Sequence, residues 1–316
     1  MKKQEKISVI AVVGPTASGK TELGVNLAHR YNGEVISADS MQIYRGMDIA
    51  TAKPTYEEMQ GIPHHLIGFL EPDSEFNVAS YTELAHQKIR EISQRRNIPI
   101  VVGGTGLYIS SLLENVKFAP TPHDEELRKE LEKYADENGV EALHMRLQKF
   151  DPKAAMEIHP NNKVRVIRAI EVCMLSNKTF SELKEESRVI PSPYNSCIIG
   201  LTYEDRSLLY EKINLRTEKM IKRGLIDEAY EIWKSTETRT AGNAIGYKEL
   251  IPYFEKKDSL ESCIEKIKQE TRRYAKRQLT WFRKNKSILW ITIDSFHNKE
   301  DFFEKCYKII AKSEIL

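Results

Sequence analysis

The sequence predicts an α/β fold, in which a parallel sheet carries helices on both faces and an all-helical insertion interrupts the domain. Two observations predict it. In the first hundred residues, short apolar runs alternate with segments whose apolar residues recur at helical spacing. From about residue 120, charged helical patterns continue to about residue 184, and strand-like runs return only at residue 197. We therefore expect a core domain of residues 1–119 and 196–316 and a helical insertion domain of residues 120–195.

The individual strands are predicted from apolar runs that are too short for buried helices. These runs are residues 7–13, 34–38, 98–102, 197–201 and 288–293. The two clearest helices cover residues 21–30 and 80–94, and Asn32-Gly33 ends the first of them. Because the strands alternate with helices, we expect them to pair in parallel.

The composition excludes several classes of protein. A hydrophobic content of 41% and a charged content of 30% are those of a globular protein. No apolar stretch approaches the roughly 20 residues that span a bilayer, so we expect a cytoplasmic protein with no membrane partner. Four widely spaced cysteines without a C-x-x-C pair argue against a zinc site and against a disulfide framework. Because no heptad pattern is present, we expect a monomer without an obligate protein partner.

The most specific local motif follows the first predicted strand and has the form G-x-x-x-x-G-K-[ST]. It lies between a strand and a helical segment, so it predicts a P-loop-type sheet. The backbone N–H groups of such a loop and the N terminus of the next helix attract phosphate oxygens. The lysine adds positive charge, and the final hydroxyl is placed to ligate Mg²⁺. The predicted phosphate-binding residues are Gly14, Pro15, Thr16, Ala17, Ser18, Gly19, Lys20 and Thr21.

Two further strand ends are expected beside this loop, because parallel sheets bind ligands beyond the carboxyl ends of their strands. One carries Asp39-Ser40-Met41-Gln42 and the other carries Gly103-Gly104-Thr105-Gly106. Asp39 is a candidate general acid or base, or equally an outer-sphere partner of Mg²⁺. The second strand end has glycines where many phosphate-loop NTPases hold Mg²⁺ with an aspartate. This difference weakens an ATPase interpretation.

The longest basic segment is residues 272–284, which also contains aromatic residues. On a helix, one face would carry Arg272, Lys276 and Arg283, while Leu279 and Phe282 would point elsewhere. Such a face either binds a phosphate backbone and stacked bases or is simply solvated.

A second basic helix is predicted in the insertion, beginning at residue 161. We expect its buried side to carry Val164, Ile167 and Met174, and another face to carry Arg165 and Arg168. Two basic surfaces on two domains suggest a clamp around a polyanion whose exposed bases are read.

Two adjacent histidines, His64 and His65, invite a metal-site interpretation. No third residue lies at metal-ligand spacing, so a structural or hydrogen-bonding role is favoured for both.

Taken together, five segments resemble the bacterial tRNA dimethylallyltransferases, also called tRNA isopentenyltransferases. These segments are residues 14–21, 39–54, 103–108, 245–249 and 277–281, and the resemblance runs from about residue 7 to residue 283. The segment 39–54 is far more specific than the phosphate loop. The family transfers a dimethylallyl group from dimethylallyl diphosphate to N6 of the adenine directly 3′ of the anticodon in tRNA, and it releases diphosphate.

The resemblance implies roles for individual residues. Lys20, Thr21 and Arg216 are expected to bind the diphosphate, with Mg²⁺ as the cofactor near Thr21. Asp39 resembles the general base, and Thr105 and Arg216 complete the implied catalytic set. Contacts to the anticodon stem-loop of tRNA are implied for Asp39, Ser40, Met41, Gln42, Thr105, Arg128, Lys163, Val164, Arg165, Val166 and Ile167, and the basic segment adds Arg272 and Lys276. Gly68 stands where the family usually has aspartate, which puts a carboxylate role there in doubt.

Two other functions compete with this interpretation. A small-molecule or nucleoside kinase that uses ATP explains the phosphate loop and the sheet, but it does not explain the basic helices. The second is a non-catalytic, GTPase-like RNA-binding module.

Overall fold

The computed structural model describes residues 6–118, 123–235 and 241–316. It contains two compact units, an α/β unit of Met1–Leu113 and Pro193–Leu316 and a helical unit of Glu114–Ser192. Within the described residues, no helix is both long enough and apolar enough to cross a membrane. All four cysteines are free thiols, and three of them are buried.

The α/β unit is built on a sheet of six strands, and every pair of neighbouring strands is parallel. The strands are β1 (Ile7–Val13), β2 (Gly33–Ser37), β3 (His64–His65), β4 (Ile98–Gly103), β5 (Tyr194–Thr202) and β6 (Ile288–Thr292). Their order across the sheet is β3-β2-β4-β1-β5-β6. The predicted parallel sheet is thus confirmed, with β3 as an additional two-residue strand at one edge.

Helices account for most of the remaining chain. Those of the α/β unit are α1 (Lys20–Tyr31), α2 (Tyr56–Met59), α3 (Val78–Gln94), α4 (Gly106–Leu113), α10 (Arg206–Lys222), α11 (Leu225–Lys234), α12 (Ile251–Phe254), α13 (Leu260–Phe282) and α14 (Lys299–Lys312). Those of the helical unit are α5 (Glu125–Asn138), α6 (Val140–Phe150), α7 (Pro152–Glu157), α8 (Lys163–Leu175) and α9 (Phe180–Glu186). Helix α1 ends at Asn32, whose backbone is left-handed, as the Asn32-Gly33 pair predicts.

Helices cover both faces of the sheet because the side chains of a strand alternate between its two faces. Val9, Ala11 and Val13 of β1 pack into a core with residues of α3 and α4. Ile10 and Val12 pack into a second core with residues of α1 and α14. The central strand is therefore buried on both sides from Val9 onwards, which explains why residues 9–13 are all apolar.

The helical unit has its own apolar core, which includes Leu131, Leu143, Leu147 and Ile170. Most of its helices begin at a polar residue whose side-chain oxygen accepts a backbone N–H of the first turn. These capping residues are Asp124 before α5, Asp151 before α7, Asn162 before α8 and Thr179 before α9. The charged, capped segments of the sequence thus form a set of short helices around one core.

The observed unit boundaries differ from the predicted ones. The predicted start of the insertion at residue 120 falls within residues 119–122, which lie outside the described residues. The predicted end at residue 195 is wrong. Tyr194 and Asn195 pair with Ile7 and Ser8 of β1, so they belong to the sheet. Polar residues at the start of β5 hid this pairing from the apolar pattern.

Candidate active site

The predicted phosphate-binding loop joins β1 to α1 as a tight, concave turn. Ala17 (φ 62°) and Gly19 (φ 78°) both have left-handed backbone, and Gly19 directly precedes the first residue of α1. The Ser18 hydroxyl donates to the carbonyl of Pro15 at 2.8 Å, which braces the turn. The N terminus of α1, with its unpaired N–H groups and positive dipole end, is therefore available to an anion.

A cavity of about 770 Å³ lies at the carboxyl ends of β1, β2 and β4. It brings together the phosphate loop, the segment 39–42 and the Gly103-Gly104 turn. The predicted convergence of these three strand ends is therefore confirmed. Helices α10 and α13 supply much of the remaining lining, through Ile213, Arg216, Thr217, Met220, Ile267, Thr271, Tyr274, Arg277 and Gln278.

Two cations lie in this cavity beside the loop. The Lys20 ammonium donates to the carbonyl of Pro15 at 2.6 Å, and the Arg216 guanidinium donates to the Thr16 hydroxyl at 3.0 Å. Burial, followed by the positive charge of Arg216, lowers the pKa of Lys20 to about 7, while Asp39 acts in the opposite direction. Burial also lowers the pKa of Arg216. In the part of the chain that the structure describes, neither cation forms an ion pair, so the pair suits an incoming anion.

Asp39 and Thr105 lie on the two neighbouring loops that follow β2 and β4. Asp39 Oδ1 accepts the N–H of Met41 at 2.9 Å. Thr105 Oγ1 accepts the N–H of Ser40 at 3.0 Å, and the Thr105 N–H donates to the carbonyl of Ala38 at 3.1 Å. These bonds tie the two loops together and fix the Asp39 carboxylate through one oxygen. Among the described residues its hydrogen bonds involve only Oδ1, so Oδ2 can accept a proton from a ligand.

Helix α13 contributes cavity residues that the sequence analysis did not single out. Tyr274, Arg277 and Gln278 all line the cavity. Burial, and next the charge of Asp39, raises the pKa of Tyr274 far above its ordinary value. The Arg277 guanidinium lies 5.7 Å from the centre of the Tyr274 ring. The spacing of these three residues places them on one helix face, and that spacing was the available signal.

Part of the cavity wall is apolar. Its partly exposed apolar side chains come from α10 and from the segments that follow β2 and α11, and they include Met220, Met41 and Ile245. A single ligand could therefore place charged oxygens against the loop and a hydrocarbon chain against this wall.

One carboxylate holds the segment 47–54 as part of the cavity wall. Glu228 of α11 accepts three successive backbone N–H groups at 2.8–2.9 Å, from Asp48, Ile49 and Ala50. The Tyr247 hydroxyl donates to the same carboxylate at 2.7 Å. Two of the motifs quoted above, 39–54 and 245–249, thus meet at Glu228: the first supplies the wall and the second helps to anchor it.

The outer part of α13 carries the predicted basic face only in part. Lys276 and Arg283 are exposed. Arg272 is half-buried and donates to Asn214 of α10 at 2.7 Å, so part of its hydrogen-bonding capacity serves the fold. Leu279 and Phe282 point away from the basic residues and pack into apolar clusters, as predicted.

In the helical unit, Arg128 is bound to a buried carboxylate. Its Nε and Nη2 atoms each donate to Glu171 at 2.9 Å, and Glu171 is fully buried. Arg168 and His123 also bind this carboxylate. Despite burial, these partners lower the pKa of Glu171 to about 2, with Arg128 contributing most. Arg128 therefore holds α5 against α8, and any contact it makes with tRNA uses the exposed edge of a guanidinium that is already paired.

The predicted burial of α8 is confirmed for Ile167 and is wrong for Val164 and Met174. Val164 is 80% exposed and Met174 is 45% exposed, whereas Val166 and Ile167 lie in the core of the helical unit. Contact of Val166 and Ile167 with tRNA stays a prediction, and the burial of their side chains limits such contact to the backbone. Apolar residues occur all around α8, so the sequence pattern alone gave no clear phase.

The other predicted basic residues of α8 lie at its N terminus. Lys163 forms an ion pair with Asp136 at 2.5 Å, and Arg165 is exposed. For Lys163, Val164 and Arg165, contact with tRNA stays a prediction.

His64 and His65 form β3 and make hydrogen bonds, which agrees with the role favoured for them. His64 Nδ1 lies 2.8 Å from the carbonyl of Ile62. His65 Nε2 lies 2.7 Å from Oε2 of the buried Glu34.

Gly68 has left-handed backbone (φ 57°), and a Cβ atom added there would lie 3.4 Å from Nζ of Lys53. In this chain Lys53 instead pairs with Asp48 at 2.6 Å. A carboxylate at position 68 would therefore compete with Asp48 for the same lysine.

The described residues contain no group of three or more His, Cys, Asp or Glu side chains that could hold a metal ion. Mg²⁺ does not require such a group, because it is commonly held by few protein oxygens together with phosphate oxygens and water. Thr21 follows Lys20 at the start of α1 and lines the cavity. Its hydroxyl fits a site of that kind. The donor set is therefore compatible with Mg²⁺ brought in with a diphosphate.

Comparisons with known proteins agree with this geometry. Residues 42–285 match the family model for IPP transferase, and residues 7–69 match the model for isopentenyl transferase. The chain is 50% identical over 306 residues to the tRNA dimethylallyltransferase of Acetivibrio thermocellus, covering 96% of this chain and 97% of that protein. It is 48% identical over 305 residues to that of Halalkalibacterium halodurans, covering 96% of each chain.

Two solved structures have a similar fold. One is the full-length tRNA isopentenylpyrophosphate transferase of Bacillus halodurans, with 45% identity, a TM-score of 0.73 and coverage of 98% of this chain and 97% of that one. The other is a eukaryotic dimethylallyltransferase acting on tRNA, with 28% identity, a TM-score of 0.79 and coverage of 97% of this chain and 80% of that one.

Proposed function

Because the chain belongs to the family of tRNA dimethylallyltransferases, we propose that it prenylates tRNA in this cavity. The donor is dimethylallyl diphosphate, and the acceptor is N6 of the adenine directly 3′ of the anticodon. One observation carries the assignment of the site. A single cavity combines a phosphate loop, two cations beside it that form no ion pair among the described residues, an apolar wall and the carboxylate of Asp39.

The diphosphate of the donor binds to the phosphate loop. The N–H groups at the start of α1 and the charges of Lys20 and Arg216 all favour an anion there. An arriving diphosphate also favours the protonated form of Lys20, whose pKa burial and Arg216 have lowered. When the allylic carbon–oxygen bond breaks, these same groups stabilise the charge that develops on the departing diphosphate. When bound at Thr21, Mg²⁺ supplies further neutralisation of that charge.

The dimethylallyl group lies against the apolar wall formed by residues such as Met41, Met220 and Ile245. Burial of this hydrocarbon favours binding by about 25 cal/mol per Å² of apolar surface removed from water. The same contacts exclude water, which would otherwise capture the electron-poor allylic carbon.

Asp39 removes the proton from the adenine amine. That amine is a weak nucleophile because its lone pair is delocalised into the ring, so proton removal during attack assists the reaction. Oδ1 is held by the Met41 N–H, which leaves Oδ2 to accept the proton. The adenine must leave its stacked position in the loop to reach the cavity, at a cost of a few kcal/mol.

The kinase alternative is not favoured. It predicts a carboxylate after β4 to hold Mg²⁺, whereas β4 ends at Gly103 and is followed by Gly104 and Thr105. The identity of 48–50% to tRNA dimethylallyltransferases over 96% of this chain also disfavours the kinase alternative.

The direct test is mass spectrometry of unmodified tRNA after incubation with the protein, Mg²⁺ and dimethylallyl diphosphate. We expect a gain of one dimethylallyl unit on the adenine 3′ of the anticodon, and no gain when ATP replaces the donor. Consumption of ATP without any gain in tRNA mass would contradict the proposal. Light scattering of the same sample measures the oligomeric state, for which we propose a monomer.

A further inference from the structure

Gln278 is a buried amide that both sides of the cavity share. It lies on α13, is 5% exposed, and uses both ends of its side chain. Oε1 accepts the backbone N–H of Thr16 at 2.8 Å. Nε2 donates to the carbonyl of Gly104 at 3.0 Å. The first partner belongs to the phosphate loop and the second to the turn after β4.

The approach of Gln278 to the turn is unusually close. A Cβ atom added at Gly104 would lie 2.1 Å from Nε2 of Gln278, so any side chain at position 104 would displace the amide. The absence of a side chain there gives this amide access to the backbone. A glycine at this position therefore permits a specific contact between the Gln278 amide and the Gly104 carbonyl.

The two hydrogen-bond partners of Gln278 contact, or lie next to, residues that take part in the proposed reaction. The Thr16 hydroxyl accepts from Arg216, so the loop residue that Gln278 holds also contacts a diphosphate-binding cation. Gly104 is followed by Thr105, which accepts the N–H of Ser40 next to Asp39. One side chain therefore spans the groups assigned to the donor and the groups assigned to the acceptor.

We propose that Gln278 is a positioning residue that sets the distance between the diphosphate-binding loop and the Asp39–Thr105 side of the cavity. This inference rests on the proposed prenyl transfer. A transferring carbon and an attacking nitrogen react only when they are close and aligned. A link between the two loops therefore matters for the step that joins the substrates more than for the binding of either substrate.

An amide is needed here, because the two partners demand opposite chemistry. The Thr16 N–H requires an acceptor and the Gly104 carbonyl requires a donor. A leucine of similar size satisfies neither partner. A carboxylate satisfies the first but sets a negative oxygen against the Gly104 carbonyl, whereas a protonated carboxyl group satisfies both. This difference gives a test that a purely structural role would not reproduce.

The test uses Gln278→Glu, with Gln269→Glu as a control on an exposed position of the same helix. The substrates are unmodified tRNA and dimethylallyl diphosphate, and kcat and both KM values are measured from pH 6 to pH 8.5. Relative to the unaltered protein, we expect kcat of Gln278→Glu to fall by about 10- to 100-fold at pH 8.5, the scale of a small misplacement of reacting groups. We expect the deficit to shrink towards pH 6 as the introduced carboxyl group takes up a proton. Both KM values should change by less than about threefold, and Gln269→Glu should behave like the unaltered protein.

A second pair of variants guards against misfolding. Gln278→Leu should lose kcat at every pH, with no recovery at pH 6. Gly104→Ala should lower kcat in the unaltered protein but add little further loss in the Gln278→Leu background, because the contact is already absent. Circular dichroism of each variant verifies that it is folded.

Some results would overturn the inference. A pH-independent deficit in Gln278→Glu, a change confined to KM, or additive losses for Gly104→Ala and Gln278→Leu would each mean that Gln278 does not couple the two sides. Failure of the proposed function itself is distinguishable, because the unaltered protein would then transfer no dimethylallyl group at all.

Discussion

Partly buried cations have opposite roles in the two units of this chain. In the α/β unit, Lys20 and Arg216 lie in a cavity without an ion pair among the described residues, and their pKa values are lowered. In the helical unit, Arg128 and Arg168 both bind Glu171, whose pKa is lowered to about 2. Among the described residues, the first pair has no carboxylate partner, whereas the second pair shares the carboxylate of Glu171.

This difference distinguishes cations that are available to bind a ligand from cations that stabilise the fold. An unpaired, partly desolvated cation costs stability, and an anionic ligand recovers that cost. A cation paired with a buried carboxylate contributes to the fold and has less left to offer a ligand. We therefore expect variants in the cavity to lose activity without losing stability, and variants at Glu171 to do the reverse.

The largest expected effect is that of Lys20→Met. It removes a cation beside the departing diphosphate, so kcat/KM for dimethylallyl diphosphate should fall by about 10³-fold. Stability at neutral pH should not fall, because the variant also removes a charge that folding disfavours. Steady-state transfer assays and thermal unfolding test the two statements, with Lys222→Met as a control on the exposed side of α10. A variant that loses activity because it is unfolded would break the comparison.

Glu171→Gln should have the next largest effect, and the effect should be on stability. Leaving Arg128 and Arg168 without their carboxylate should lower the unfolding free energy by about 3 kcal/mol. The folded pKa of Glu171 lies below its ordinary value of 4.5, at about 2. The stabilisation is therefore fully present above pH 4.5 and is lost as the pH falls towards 2.

Hydrogen exchange of peptides from α5 and α8 measures this change where it occurs. We expect faster exchange in Glu171→Gln at pH 7 and a shrinking difference in acid. Glu130→Gln, on an exposed position of α5, should show neither. Equal exchange in all three proteins at pH 7 would mean that the arginines do not depend on Glu171.

Asp39→Ala should lower turnover by at least about 10²-fold, the usual scale for the loss of a general base. The affinity of this variant for tRNA should change much less, because one carboxylate is a small part of the surface that contacts tRNA. Single-turnover transfer and tRNA binding are the measurements, and Asp73→Ala, on an exposed loop, is the control. Near-normal turnover would remove Asp39 from the reaction.

The smallest expected effect is on the outer face of α13. Arg272→Ala combined with Lys276→Ala should weaken tRNA binding and reduce the slope of log K against log salt by up to about 2. Because Arg272 also binds Asn214, we expect the larger share of the change to come from Lys276. An unchanged slope, equal to that of the exposed-lysine control Lys257→Ala with Lys266→Ala, would mean that this face is simply solvated.

The sheet was predictable from the sequence because its strands are buried on both sides. The central strand Ile7–Val13 is apolar except at Ser8 and is followed by a motif that needs a strand before it. The edge strand His64–His65 has two residues and neither is apolar, so no pattern indicated it. Helix α8 was misread because apolar residues surround it, and only packing decides which of them is buried.

The site was predictable where chemistry is local and not where it depends on distant partners. The phosphate loop is a contiguous motif, and Asp39 follows a strand. The bond from Gln278 to Thr16 spans 262 residues, and the ion pair of Arg128 with Glu171 spans 43. The sequence alone does not indicate that Arg128 is paired, whereas Arg216 lies in the cavity without an ion pair among the described residues.

Lys20 and Arg216 have no counter-ion among the described residues, and we expect diphosphate to supply one. The most direct test is calorimetric titration of diphosphate into the protein at pH 8, in two buffers with different ionisation enthalpies. The folded pKa of Lys20 is about 7 and its ordinary value is 10.5, so much of the free protein is neutral at this residue at pH 8. Binding should raise that pKa, and the protein should take up more protons per diphosphate than Lys20→Met does, by up to about one. Equal proton uptake in the two proteins would mean that diphosphate does not change the protonation of Lys20, and diphosphate would then not be the counter-ion of this lysine.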